Sequence, residues 1–138
     1  MNSWTELGED ASYFSGTARY ETTFENPDAT IENWKLRFNE VRESAKIWLN
    51  DVYVGTLWAN PFELELSNLK SGKNTLRVEV TNLPANRIRA KELRGEEWKI
   101  FKEINMVNKD YQKFDATIWS PTPSGLLGEV SLIPLIKN

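Results

Sequence analysis

An antiparallel β-sandwich is the fold this sequence predicts. Three observations carry it. Apolar and polar residues alternate with period two through short segments, turn-forming pairs fall between those segments, and strand starts recur at roughly 8–17 residues.

The elements follow in order along the chain. In residues 17–24, Ala18, Tyr20, Thr22 and Phe24 share one face, opposite Arg19, Glu21 and Thr23. Trp34, Leu36 and Phe38 then alternate with Lys35 and Arg37, and Ala45, Ile47 and Leu49 with Lys46 and Trp48. Asn50-Asp51 marks a tight hairpin, because both residues tolerate positive φ. Phe62, Leu64 and Leu66 start after Asn60-Pro61, and Leu76, Val78 and Val80 follow Ser71-Gly72. A last apolar run spans Val130 to Ile136.

One stretch breaks this rhythm. From Asn86 to Asn108 the chain is charged, and Trp98, Phe101, Ile104 and Val107 recur at three-residue steps. That spacing predicts a short amphipathic helix over 96–107, with Gly95 capping or interrupting it. Pro121 to Gly125 then reads as the end of a long irregular loop, and long ordered loops are often functional.

Composition narrows the chemistry. A chain of 138 residues with 40% hydrophobic residues supports one domain, 1–138, with its own core. Six Trp are more than one small core needs, so some are expected to face a ligand or a partner. With no His and no Cys, Ser–His–Asp catalysis, thiol nucleophiles, disulfides and imidazole zinc sites are excluded. A net charge of −3 argues against nucleic acid or an anionic membrane as a partner. No apolar run is long enough to span a bilayer, and Met1 to Asp10 lacks the pattern of a signal peptide.

The runs SGTARYETTFE (15–25) and ESAKIWLNDVYVGTLWANPFELELSNLKSGKNTLRVEVTNLPANR (43–87) resemble the sugar-binding domain of glycoside hydrolase family 2. More broadly the chain looks like the galactose-binding-like jelly roll, also found in large α-L-rhamnosidase and β-galactosidase-type enzymes. EWKIFKEINMVN (97–108) and WSPTPSGLLGEVSLIPL (119–135) are similar to the rhamnosidase-type branch. Asp51 departs from the pattern, since such domains usually carry Gly there. The resemblance implies a jelly roll with a short helical insertion, excised from a larger bacterial glycoside hydrolase that is secreted or periplasmic. It implies an accessory role, supporting the catalytic domain of the parent chain and touching carbohydrate. The alternative is an autonomous carbohydrate-binding module.

Carbohydrate sites stack the sugar's C–H face on an aromatic ring and pair its hydroxyls with amides and charged groups. Trp58 and Asn60 are expected to supply this at one sandwich end, with Asn86, Arg87 and Trp119 converging on the same rim. The structural alternative is that Trp58 and Trp119 cover the sandwich ends and Arg87 pairs with a carboxylate. Trp34 and Trp98 read as packing residues, and Trp48 as buried beneath the 86–125 excursion. The basic run Arg87, Arg89, Lys91, Arg94, Lys99 and Lys102, interleaved with Glu92, Glu96, Glu97 and Glu103, reads as a salt-bridged surface.

Independent glycosidase chemistry would need two convergent carboxylates. Glu96 and Glu97 diverge by about 100° on a helix, and Glu96 and Glu103 stand ~10 Å apart along its axis. Neither pair forms a catalytic couple. A structural Ca²⁺ is compatible with the galactose-binding-like resemblance, and Asp28 and Glu25 lie in a suitable loop.

Overall fold

The computed structural model describes residues 1–99 and 114–136. Its strands form two antiparallel sheets packed face to face. One sheet holds β1 (Thr17–Glu25), β6 (Lys73–Thr81), β3 (Ser44–Leu49) and β4 (Val52–Leu57), side by side in that order. The other holds β5 (Glu63–Ser67), β2 (Asn33–Arg42) and β7 (Gly125–Pro134). The sandwich predicted from alternation is therefore present, as an open pair of sheets rather than a closed barrel.

Alternation works because successive side chains leave opposite faces of a strand. In β6, Leu76, Val78 and Val80 are buried while Thr75, Arg77 and Glu79 are half-exposed. They meet Ala45, Ile47 and Leu49 of β3 and Trp34, Leu36, Phe38 and Leu66 from the opposing sheet in one core. Burying each large aliphatic side chain contributes about 1.5–3 kcal/mol before entropy is counted. In β2 the register slips between Phe38 and Glu40, so the next inward residue is Val41. This bulge ended the visible alternation at Phe38 although the strand continues to Arg42.

The Asn50-Asp51 hairpin forms as expected, with φ of 51° and 66° at its two central residues. It is also tied from outside. The Asn50 amide donates to Asn74 Oδ1 at 2.9 Å and accepts from Thr75 N at 3.0 Å. Asn74 is fully buried, and its own amide donates to the carbonyls of Lys70 and Gly72. The GKNT run thus lends a side chain that locks one hairpin onto the neighbouring turn.

Three expectations change. The final strand starts at Gly125, not at Val130, and Leu126 within it is buried. A short helix, α1 (Glu9–Ser12), precedes β1, and a longer one, α2 (Ala85–Leu93), lies ahead of the expected 96–107. Residues 96–99 are not helical, and Phe101, Ile104 and Val107 lie outside the described residues. Gly95, at φ +66°, ends α2: its N–H donates to Glu92 O and that of Glu96 to Lys91 O. This paired closure is the Schellman arrangement, which favours glycine at that position. Finally, Trp48 is half-buried between neighbours on its own sheet. Arg77 lies 4.5 Å over its ring and Tyr53 meets it edge-on at 5.6 Å.

Candidate functional site

Strand register decides which loops share an end of the sandwich. Ala18, Val80, Ala45 and Leu57 form one row across the four-stranded sheet. Beyond that row, β4 exits through Trp58 and β6 through Asn82, so the two loops leave the same end. They leave it on different sides, because β3 lies between β4 and β6.

The side next to β1 and β7 is organised by a buried polar clamp. Asn82 accepts from Gly16 N at 2.9 Å and donates to Phe14 O at 2.9 Å and Ser124 Oγ at 3.1 Å. Asn86 exchanges two bonds with Thr122, donating to its carbonyl and accepting from its N–H, both at 2.7 Å. Ser3 Oγ accepts from Ser124 N at 3.0 Å. These amides replace a sheet ladder where the N-terminal segment, the exit of β6 and the entry to β7 meet. Gly125 is part of this packing: at φ +97°, a Cβ there would lie 2.4 Å from Trp4 Nε1.

At about 100° per residue, α2 presents three faces. Asn86 and Ala90 are buried against the clamp. Arg89 and Glu92 face an aromatic ladder in which Phe114 meets Trp98 at 5.7 Å and Trp119 at 5.5 Å, both edge-on. Arg89 Nε donates to Trp119 O at 2.6 Å, and Trp98 Nε1 donates to Glu92 Oε1 at 2.7 Å. That indole bond, then the Lys99 ammonium at 3.1 Å, holds the Glu92 carboxyl below the usual carboxylate range.

The third face carries Arg87, Lys91 and Arg94, turned toward Tyr13 and Phe14. Together with Glu96 these residues line a basin of about 460 Å³. Glu96 reaches Lys91 at 3.5 Å and Arg94 at 3.6 Å, and the Arg94 guanidinium lies 5.0 Å from the centre of the Tyr13 ring. Among the described residues, Arg87 has no carboxylate within ion-pair distance. The salt-bridged surface expected for the basic run is thus present for Lys91, Arg94 and Lys99; Lys102 and Glu103 lie outside the described residues.

The five nominated residues therefore divide. Trp58 is 76% exposed, and Asn60 is exposed beside it on the β4–β5 connection. Arg87 is exposed at the basin, while Trp119, 38% exposed, belongs to the ladder on another face of α2. Asn86 requires correction: it is 3% exposed and its amide is spent on Thr122 and Ser124, so it holds the loop and is not presented to a ligand. Sequence reasoning does not mark the basin residues Tyr13, Phe14, Lys91 and Arg94 as ligand contacts. The basic spacing was visible, but the aromatic wall lies some 75 residues away in sequence, brought near by the β1–β6 pairing.

Glu25 and Asp28 do not gather a cation set. Asp28 Oδ1 accepts from Thr30 Oγ1 at 2.7 Å and Thr30 N at 2.9 Å, which lowers its pKa and closes the loop. Among the described residues no group of three or more acidic side chains could hold a metal ion, and no helix is long and apolar enough to cross a membrane.

No protein-family model matches the sequence. The "Putative beta-glucuronidase" of Formosa agariphila is 40% identical over 93 residues, which is 64% of this chain and 8% of that protein. The rhamnosidase from Novosphingobium sp. PP1Y superposes with a TM-score of 0.65 at 29% identity, covering 89% of this chain and 11% of its own. A GH2 β-galacturonidase from Eisenbergiella tayi gives 0.51 at 25% identity, over 59% of this chain and 14% of its own. The resemblance to glycoside-hydrolase domains read from the sequence is borne out by these three proteins. The chain spans only about a tenth of the length of each.

Proposed function

We propose that this chain is a non-catalytic accessory β-sandwich of a larger glycoside hydrolase, supporting the catalytic domain and contributing a surface to carbohydrate. The observation that carries the reading is a mismatch of coverage. The rhamnosidase likeness takes in 89% of this chain but 11% of that enzyme, so most of the enzyme's bulk lies elsewhere. The carboxylates point the same way. Among the described residues, those with clearly shifted acidity, Asp28, Glu63 and Glu92, are all shifted down, whereas a general acid needs a raised pKa. The relatives' names make glycans bearing uronosyl or rhamnosyl residues the proposed substrates of the parent enzyme, and secretion or periplasmic residence belongs to the same proposal.

The test is turnover. The purified chain is incubated with chromogenic glucuronide, galacturonide and rhamnoside, and released chromophore is followed. A folded chain with no turnover is expected. Hydrolysis that survives purification and vanishes on changing one carboxylate would overturn the reading. A second reading, an autonomous carbohydrate-binding module, is favoured by the 76% exposure of Trp58, a large apolar ring left in solvent.

A further inference from the structure

We infer that the basin between Tyr13-Phe14 and α2 is a binding site for a negatively charged sugar, a uronosyl residue held by its carboxylate. The inference rests on the carbohydrate reading above and narrows it, because it separates a charged sugar from a neutral one.

Three features support it. First, charge: among the described residues Arg87, Lys91 and Arg94 line the basin with one carboxylate, Glu96, on a chain whose net charge is −3. Glu96 engages Lys91 and Arg94, and among the described residues no carboxylate pairs with Arg87. A guanidinium presents parallel N–H donors that match the two oxygens of a carboxylate. Second, size: about 460 Å³ falls within the roughly 300–1,000 Å³ usual for small-molecule sites. Third, the opposite wall is aromatic. Tyr13 is half-buried and Phe14, edge-on to Trp4 at 5.5 Å, keeps 40% exposure, so part of an aromatic surface remains for the C–H face of a sugar. Arg94, stacked 5.0 Å from the Tyr13 centroid, ties the aromatic wall to the cationic one.

The site is also held in place. Phe14 O and Gly16 N are bonded to the Asn82 side chain, and the root of α2 is bonded to Thr122 through Asn86. Both walls therefore hang from the same buried clamp, and little ordering is left for a ligand to impose.

Calorimetric titration of the chain with a galacturonate trisaccharide, its neutral galactose counterpart and sodium acetate tests the site. Saturable binding of the galacturonate is expected, about tenfold tighter than the neutral sugar and weakened by salt. Arg87→Gln is expected to reduce that affinity about tenfold and Arg87→Lys less. The proposal falls if galacturonate gives no binding at millimolar concentration, if galactose or acetate binds as well, or if Arg87→Gln changes nothing. Loss of this site would leave the accessory role standing, since that role is read separately by turnover.

Discussion

Replacing Asn86 with Ala separates a ligand residue from a clamp. In the structure its amide makes two bonds of 2.7 Å to the backbone of Thr122 and a weaker one of 3.4 Å to Ser124. Two net hydrogen bonds contribute about 1–3 kcal/mol, and stranding the Thr122 N–H in a site where the partner is 3% exposed adds about 1 kcal/mol. The expected loss is thus roughly 2–4 kcal/mol, a large part of the roughly 5–15 kcal/mol that holds a domain together. Urea unfolding followed by tryptophan emission measures it as a lower midpoint with an unchanged slope. Asn86→Asp keeps the acceptor but turns a carboxylate toward Thr122 O. Its folded-state pKa should therefore rise, so its penalty is present at neutral pH and eases on acidification through that raised pKa. A loss below about 0.5 kcal/mol, accompanied by weaker glycan binding, would refute the clamp and restore Asn86 as a ligand residue.

Other outcomes follow from the same geometry. Gly125→Ala should prevent folding or lower stability by more than about 3 kcal/mol, since its Cβ would meet Trp4 Nε1 at 2.4 Å and the φ is +97°; soluble yield and thermal unfolding report it. Asn74→Ala removes four hydrogen bonds at a fully buried site and should cost about 3–4 kcal/mol in urea unfolding. Glu63, held below its usual 4.5 by Lys35 and then Arg37, stabilises the fold above that value and loses the effect as pH falls through its lowered pKa. Glu63→Gln should therefore lower the melting temperature near pH 7 and match the parent once Glu63 is protonated. Trp58→Ala should leave stability within about 0.5 kcal/mol, given its 76% exposure.

What the sequence made legible was periodic. Leu76, Val78 and Val80 advertise a buried face because a strand repeats every two residues, and Asn50-Asp51 advertises a hairpin because few residues accept positive φ. Features set by tertiary partners stayed hidden. The second half of β2 was invisible because the slip after Phe38 shifts the inward phase to Val41. α2 escaped because its buried residues are Asn86 and Ala90, which draw no apolar stripe. Asn86 reads as a sugar contact in sequence for a related reason: an amide at a corner looks the same there whether it will serve a hydroxyl or a peptide group. Arg87 was nominated, but its partners across the basin depend on where β1 begins.

The Asn86–Thr122 bond has a topological meaning as well. It joins residues 36 apart in sequence, so the chain departs from the sandwich and returns to it at one fastened point. Between them lie the rest of α2, with Ala90 buried, and the Phe114–Trp119 ladder. Doubling the length of such a closed excursion costs only about 0.6 kcal/mol in closure entropy. Length can therefore be added between the two fastened residues at small entropic cost, provided Ala90 and Ala116 stay buried. An engineer seeking a place to graft a foreign loop onto this scaffold would cut there first.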